Sequence, residues 1–114
     1  MIIEEYRRIA LAQPEAIESS HMNHPDFRVR NKIFATIPSS AKNEGMVKLT
    51  PDQQKKFVRE YPRVFSPVPG GWGVRGATLV SLAPATKEIV NRAMRCAWRN
   101  VAPKRLIAQI ADEL

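Results

Sequence analysis

The chain has 114 residues, of which 44% are hydrophobic and 25% charged, a composition typical of one globular domain rather than of a disordered segment. No apolar run approaches the roughly 20 residues that cross a bilayer, and the first residues lack the pattern of a signal peptide. Cys96 is the only cysteine, which excludes an internal disulfide and suits a reducing compartment. We therefore expect a single domain over residues 1–114, with no membrane segment, in the cytoplasm.

Charge is the first property that bears on function. Eighteen Lys and Arg against eleven Asp and Glu give a formal net charge of +7 and an isoelectric point near 10.1. Residues 1–25 are acidic overall and the remainder is basic. A basic body attracts polyanions, with nucleic acid the usual partner and an anionic membrane the alternative. A soluble protein whose basic charge serves no function is the competing interpretation.

The N-terminal segment contains one helical pattern and one undecided stretch. Apolar residues at three- and four-residue spacing predict a helix over residues 2–12, and Pro14 marks its end. Residues 16–22 fit no single pattern, and a short strand is one interpretation.

A hairpin pattern follows. Residues 27–30 and 33–37 are predicted as strands joined by the two-residue turn Asn31-Lys32. Asn tolerates positive φ, so Asn31 suits the first central position of such a turn. A polar loop then leads to a third predicted strand, residues 45–49.

The segment Thr50-Pro51-Asp52-Gln53 predicts a helix start. Thr50 caps the backbone N–H groups, Pro51 suits the first helical position, and Gln53 completes a capping box. The later predicted elements are strands at 64–66 and 78–82, a helix from Pro84 to about Val101, and a last helix from Pro103 that carries Leu106, Ile107, Ile110 and Leu114.

This order is helix, three strands, helix, two strands, helices (α-β3-α-β2-α). Strands joined by short turns pair antiparallel, and helices must cover one face of such a sheet. The predicted fold is therefore α+β, a single domain with a mostly antiparallel sheet and helices packed on one face.

Gly71 to Gly76 matches the G-x-G-x-x-G spacing of phosphate-binding loops. In a dinucleotide fold that loop opens a helix, and an acidic residue follows about 20 positions later. Here a strand pattern follows instead, and no such acidic residue is present. We interpret the segment as a turn or bulged strand whose glycines supply unusual φ/ψ angles. Trp72 is expected to be a lid on the core, with an exposed stacking surface as the alternative.

Residues that commonly carry catalysis or bind metals are scattered. His21 and His24, with Asp26 nearby, lack further ligands at a defined spacing, so we interpret them as polar turn residues. Cys96 lies beside the apolar arc of a helix and is interpreted as a small hydrophobic residue. No Ser/His/Asp arrangement or carboxylate pair stands out. The sequence therefore predicts no catalytic activity, no metal site and no cofactor.

The longer C-terminal helix carries the main functional signal. At about 100° per residue its apolar residues cover roughly half of the circumference, and three arginines fall opposite them within a stripe about 60° wide. Guanidinium groups bind phosphate oxygens in a bidentate manner. Glu88 lies on the same side, and an ordinary solvated face is the competing interpretation. The basic residues of this region are Arg92, Arg95 and Arg99, extended past the helix end by Lys104 and Arg105.

The predicted hairpin and the Gly-rich loop add further cations. A basic hairpin tip resembles a wing that straddles a phosphate backbone. The sequence does not say whether these cations share a surface with the helix stripe. They are Arg28, Arg30, Lys32 and Arg75.

Three segments together are more specific than any single motif: His24–Ala35, Val47–Pro51 and Tyr61–Gly73. With Ala97-Trp98-Arg99 and Ala102-Pro103-Lys104-Arg105, they resemble the MmcQ/YjbR family from about His24 to Arg105. Asn31 stands where that family often has Gly, and both residues accept positive φ. The resemblance implies a CyaY-like α+β fold and the family's predicted DNA-binding role, and it implies no established catalytic residue.

We therefore expect a nucleic-acid-binding module, with DNA as the first choice. Contacts to phosphates predict weak, salt-sensitive and largely nonspecific binding. The alternative is a protein-interaction or chaperone-like adaptor that uses an exposed sheet face or the Trp72 loop.

Overall fold

The structure, a computed structural model, describes the backbone of residues 1–113 and the side chains of residues 1–110. Leu114, which was predicted to belong to the last helix, lies outside the described residues. None of the described helices is long and apolar enough to cross a membrane. The elements are α1 (Ile3–Leu11), β1 (Ile17–His21), β2 (His24–Val29), β3 (Lys32–Ser39), β4 (Glu44–Lys48), α2 (Pro51–Glu60), β5 (Phe65–Pro67), α3 (Gly71–Val74), β6 (Ala77–Ser81), α4 (Lys87–Val101) and α5 (Lys104–Glu113).

The six strands form one antiparallel sheet in the order β1-β2-β3-β4-β6-β5. This arrangement confirms the predicted α+β class, but four strands precede α2 where three were predicted. The additional strand is β1, the stretch whose pattern was undecided. Its residues are all exposed, because β1 lies at the edge of the sheet. An edge strand that buries neither face has no hydrophobic alternation to reveal it.

Two hairpin turns have a left-handed backbone. Met22 and Asn23 (φ 49° and 65°) join β1 to β2, and Arg30 and Asn31 (φ 48° and 69°) join β2 to β3. Two successive positive φ values give a type I′ turn, whose twist matches that of the strands. The predicted turn at Asn31-Lys32 is therefore wrong by one residue. Val29 pairs with Lys32, which places Asn31 second in the turn and Lys32 in β3.

Helix α1 is anchored to the centre of the sheet by Tyr6. Its fully buried hydroxyl lies 2.9 Å from the carbonyl oxygen of Met46 and 3.1 Å from that of Thr36. Gly45 lies under the ring, where a Cβ atom would come within 2.4 Å of the ring carbon Cζ. Burial raises the pKa of Tyr6, so the hydroxyl keeps its proton and remains a donor. The carbonyl oxygens of two neighbouring strands thus position α1.

Helix α2 begins with the predicted capping box. The hydroxyl of Thr50 accepts from the N–H of Gln53 at 3.2 Å, and the Gln53 side chain accepts from the N–H of Thr50 at 2.9 Å. The next residue, Gln54, is buried, and its side-chain amide donates to the carbonyl oxygens of Gly73 and Ala77, each at 3.0 Å. These bonds attach the Gly-rich segment to α2.

The Gly-rich segment forms a single helical turn, α3, so of the two predicted alternatives, a turn and a bulged strand, the bulged strand is wrong. A Cβ atom at Gly73 would lie 1.7 Å from the carbonyl oxygen of Val68. Gly76 has a φ of +116°, and a Cβ atom there would lie 2.0 Å from the carbonyl oxygen of Leu49. These glycines allow two backbones to approach closely. Trp72, which was expected in the core, is 65% exposed because Gly73 rather than Trp72 faces the fold.

Helix α4 covers β3 and β4 with its apolar side and also contacts α1. The apolar arc predicted from the helical spacing is the side that packs: Val90, Ala93, Met94, Ala97 and Trp98 are buried, and Ile89 and Val101 are half-buried. The hydroxyl of Thr86 accepts from the N–H of Ile89 at 3.3 Å and caps its start. Ala102 is extended, as expected for a residue before proline, so the chain changes direction between α4 and α5.

Candidate nucleic-acid interface

Helix α4 presents Arg92, Arg95 and Arg99 on the side opposite its buried face, and all three are exposed. Positions three and four apart on a helix lie on one side, as the sequence predicted. None of the three forms an ion pair with an acidic side chain among residues 1–110. Their positive charges are therefore directed to solvent.

Arg92 is oriented by two neutral partners, one in α2 and one directly after it. Its Nη1 atom donates to the hydroxyl of Tyr61 at 3.1 Å, and its Cζ atom lies 5.9 Å from the centre of the Phe57 ring. A hydroxyl and an aromatic face hold a guanidinium group without cancelling its charge. Sequence reasoning missed this role of Tyr61, because the two residues are 31 positions apart.

Arg95 and Arg99 line a pocket of about 540 Å³ between the end of α1, α4 and α5. Trp98 forms part of its wall, and its Nε1 atom donates to the carbonyl oxygen of Pro14 at 2.9 Å. This bond holds the end of α1 against α4. No carboxylate lines the pocket within the described part of the chain. The other described residues that line it are Ala12, Gln13, Pro14, Asn91, Ile107 and Ile110.

A second groove, of about 430 Å³, continues along the contact between α1 and α4. It shares Ala12 and Asn91 with the first pocket. It differs in charge, because Glu5 lines it together with Lys87, and the two form an ion pair at 3.3 Å. The surface along the α1–α4 contact thus carries both acidic and basic side chains at the Glu5–Lys87 end, and basic side chains at the Arg95–Arg99 end.

Lys104 and Arg105 occupy the first turn of α5 and are exposed, and that turn contains no acidic residue. Cations at a helix N-terminus oppose the helix dipole, typically at a cost of about 0.3–1 kcal/mol each. A cost of this kind is common where charge serves binding rather than stability. In the sequence, these two residues follow the cationic end of α4 after the extended Ala102 and Pro103.

Arg28 does not join the α4 arginines. It lies on the sheet face opposite the helices, because its neighbours Phe27 and Val29 are buried in the core. Its Nε and Nη2 atoms donate to the two carboxylate oxygens of Asp26, at 2.8 and 3.0 Å. His21 approaches the same carboxylate, with Nδ1 2.7 Å from Oδ2. The bonds from Arg28, and secondarily the one from His21, hold the pKa of the buried Asp26 carboxyl below its usual range.

The remaining predicted cations lie in two further places. Arg30, in the β2–β3 turn, makes a bidentate pair with Glu15 at 2.6 and 3.1 Å, which lowers the pKa of Glu15. Lys32 is exposed at the start of β3. Arg75 follows α3, with its Cζ atom 5.6 Å from the centre of the Trp72 ring. The nine predicted cations therefore lie on several elements: Arg28, Arg30 and Arg75 each have a local partner, whereas the three α4 arginines share one side of a helix.

The histidine cluster has a structural explanation. Among the described residues, no group of three or more His, Cys, Asp and Glu side chains is arranged to hold a metal ion. His21 and His24 are paired across the β1–β2 hairpin, and His21 contacts Asp26. Cys96 is half-buried and packs against the core, as its position beside the apolar arc predicted.

The fold and the cationic helix define a small α+β domain, and the comparisons assign its family. The model of the YjbR family matches residues 11–100, so the chain belongs to that family and the predicted resemblance is confirmed. The match includes the three α4 arginines and ends before Lys104 and Arg105.

One solved structure extends the comparison to the fold. The crystal structure of Deinococcus radiodurans protein DR2400, described as a DUF419 domain, is similar with a TM-score of 0.74. The match has 14% sequence identity and covers 90% of this chain and 80% of that one. At this identity, the likeness shows a shared fold alone. No curated protein matches the chain significantly.

Proposed function

We propose that this protein is a non-catalytic nucleic-acid-binding module, with DNA as its first ligand, and that α4 provides the contact surface. The observation that carries the proposal is the arrangement of Arg92, Arg95 and Arg99. They are exposed on one side of a helix whose other side is buried, and no described acidic side chain forms an ion pair with them. Guanidinium groups fixed in this way suit phosphate oxygens.

The position of α4 favours contact with the phosphate backbone over reading of bases. The helix packs against α1, and Arg92 and Asn100 connect it to residues of α2 or beside it. A helix flanked on both sides does not enter the major groove as a protruding recognition helix does. Arg92 and Arg99 are about 10 Å apart along the helix axis. We therefore expect several phosphate contacts and little sequence preference.

The other predicted cations contribute unequally in this proposal. Lys104 and Arg105 lengthen the surface, and the unpaired N–H groups at the start of α5 also favour an anion. Arg28 and Arg30 contribute less, because a phosphate must compete with their carboxylate partners. Lys32 and Arg75 supply additional contacts only where a strand extends beyond α4.

The test is binding of labelled duplex DNA, single-stranded DNA and RNA across a salt series. The variant Arg92→Glu/Arg95→Glu/Arg99→Glu removes the proposed surface. A matched control, Lys42→Glu/Lys55→Glu/Arg63→Glu, changes the net charge equally at three exposed cations outside the surface. We expect the first variant to lose binding and the second to retain most of it. Equal losses would refute a localised interface, and unchanged binding in the first variant would refute the role of α4.

A second candidate function is a protein-interaction adaptor, which the exposure of the α3 loop favours. Trp72 and Val74 are 65% and 78% exposed and lie two positions apart on one short segment, and neighbouring exposed apolar side chains can mark an interaction site. The open sheet face supports this candidate less, because its central row mixes polar and apolar residues: Ser19, Asp26, Thr36, Met46, Leu79 and Ser66.

Sedimentation velocity would test the simplest form of the adaptor function, in which the α3 loop binds a second copy. We expect concentration-dependent association that Trp72→Ser abolishes and that Met22→Ser, at another exposed apolar residue, leaves intact. A monomer at all concentrations would contradict that form.

A further inference from the structure

The pocket beside Arg95 and Arg99 has the chemistry of a ligand site in its own right. We propose that it binds a small organic phosphate, a phosphate group carried on a flat apolar body, and that this ligand competes with nucleic acid for the two arginines. The competition rests on the proposed function, whereas binding of the ligand does not.

The charge of the pocket selects an anion. Arg95 and Arg99 are one helical turn apart on α4, and no described carboxylate lines the pocket with them. A phosphate monoester carries close to two negative charges at neutral pH, which matches two guanidinium groups. Bidentate pairing also favours phosphate over an anion with one acceptor atom.

The walls of the pocket favour a ligand whose phosphate is attached to an apolar group. Trp98, Pro14, Ile107 and Ile110 all line it. Trp98 is only 3% exposed and its N–H group is bonded to Pro14, so this wall is held in place before a ligand arrives. A volume of about 540 Å³ lies within the usual range of small-molecule sites. Inorganic phosphate alone would leave these walls without a partner.

An oriented amide adds a specific polar contact. Gln13 is buried, and its Nε2 atom donates to the carbonyl oxygen of Ile9 at 3.1 Å. This bond fixes which end of the amide is the donor, so the Oε1 atom is the end that can accept from a ligand N–H or O–H. Apolar walls with a few converging polar groups are typical of ligand sites.

Competition follows from the double use of the arginines. Arg95 and Arg99 belong both to the exposed face of α4 and to the pocket lining. Arg92 does not line the pocket and is held by Tyr61. A bound phosphate would therefore neutralise two of the three α4 arginines and leave one for DNA.

The two tryptophans provide a direct test by nuclear magnetic resonance. Phenyl phosphate is the probe, and its two halves, inorganic phosphate and phenol, are tested separately at matched ionic strength. We expect phenyl phosphate to shift the indole N–H resonance of Trp98 saturably and to leave that of Trp72, outside the pocket, in place. Its dissociation constant should be at least about tenfold below that of inorganic phosphate. Equal shifts of both resonances, or no preference over the separated halves, would overturn the proposal.

A matched pair of alanines tests the location. Ala12→Leu fills the pocket, whereas Ala108→Leu makes the same change at an exposed position of α5 that does not line it. We expect the first to weaken phenyl phosphate binding by about tenfold or more and the second by less than about twofold. Arg95→Gln, at an exposed residue, keeps the test available if Ala12→Leu does not fold. Unchanged affinity in a folded Ala12→Leu or Arg95→Gln variant would refute the assignment.

A displacement assay tests the competition. Phenyl phosphate should displace labelled duplex from the wild type but not from Ala12→Leu, and inorganic phosphate at equal ionic strength should not displace it. Duplex binding that resists saturating phenyl phosphate would overturn the competition. A shifted Trp98 resonance with no DNA binding at low salt would support the pocket and refute the nucleic-acid function.

Discussion

Raising the salt concentration should weaken DNA binding by an amount that the structure predicts. Each protein cation that pairs with a phosphate releases condensed counterion, so log K falls linearly with log salt concentration. The proposed surface has five exposed cations on adjoining elements: Arg92, Arg95, Arg99, Lys104 and Arg105. Five contacts predict a slope of about −4.5 on B-DNA. Between about 50 and about 200 mM salt, the affinity should then fall roughly 500-fold.

The slope also distinguishes binding through the five cations of α4 and α5 from binding through all nine predicted cations. If all nine predicted cations contacted phosphates, the slope would be about −8. That outcome requires Arg28 and Arg30 to leave Asp26 and Glu15, which hold them in bidentate pairs. The structure therefore predicts the smaller value.

Fluorescence anisotropy of a labelled duplex measures both the affinity and the slope. The variant Arg92→Gln/Arg95→Gln/Arg99→Gln removes three contacts without adding repulsion, so its slope should be shallower by about 2.7. The control Lys42→Gln/Lys55→Gln/Arg63→Gln should keep the wild-type slope. A wild-type slope shallower than about −1, or an equal slope in the α4 variant, would refute the electrostatic reasoning.

Three further predictions concern stability. Asp26→Asn should lower the free energy of unfolding by about 2 kcal/mol at neutral pH, since an amide accepts more weakly from the arginine partner. It should also flatten the wild-type loss of stability from about pH 5 to about pH 3 in urea titrations, where the unfolded carboxyl takes up a proton and the folded one, whose pKa is lowered, resists. Glu15→Gln, at an exposed pair, should change both quantities less, and an equal effect would contradict the argument. Gly73→Ala should cost about 2 kcal/mol or more in thermal melts, because its Cβ meets a carbonyl oxygen, whereas Gly71→Ala should be nearly neutral because nothing lies within 4 Å. Tyr6→Phe should cost about 1–2 kcal/mol in urea unfolding, and an unchanged midpoint would show that its buried hydroxyl contributes nothing.

Helices α1, α2, α4 and α5 were predictable because their signals are local. The capping box of Thr50 and Gln53 involves residues three positions apart, and the apolar arc of α4 repeats within two turns. The elements that depend on a strand partner were predicted less well. Strand β1 has no buried residue, and the β2–β3 turn moved by one position because Val29 pairs with Lys32.

The Gly-rich segment shows a different limit of sequence reasoning. The predicted strand after the segment is present as β6, but the packing of the glycines was not visible in the pattern. Gly73 and Gly76 face carbonyl oxygens of Val68 and Leu49, contacts that exist only after the chain has folded. Because those backbones occupy the inner side of the loop, Trp72 is left outside.

The α4 arginines illustrate what the sequence alone determined. The helical period of α4 places Arg92, Arg95 and Arg99 on one side of the helix. The apolar residues on the opposite side identify the arginine side as the solvent-facing one. Family membership could also be predicted from the sequence, because the segments that resemble the family are recognisable without a structure. Such features depend on residues close together in the chain.

Only the tertiary structure decided which cations are paired with carboxylates and where a pocket forms. Arg30 meets Glu15 across 15 positions, and Trp98 meets Pro14 across 84. The pocket beside Arg95 and Arg99 combines three helices, and no local pattern predicts their contact. The physical reason is that Coulombic pairing and cavity shape depend on distances in space, whereas periodicity reports only the direction in which each side chain leaves its own helix or strand.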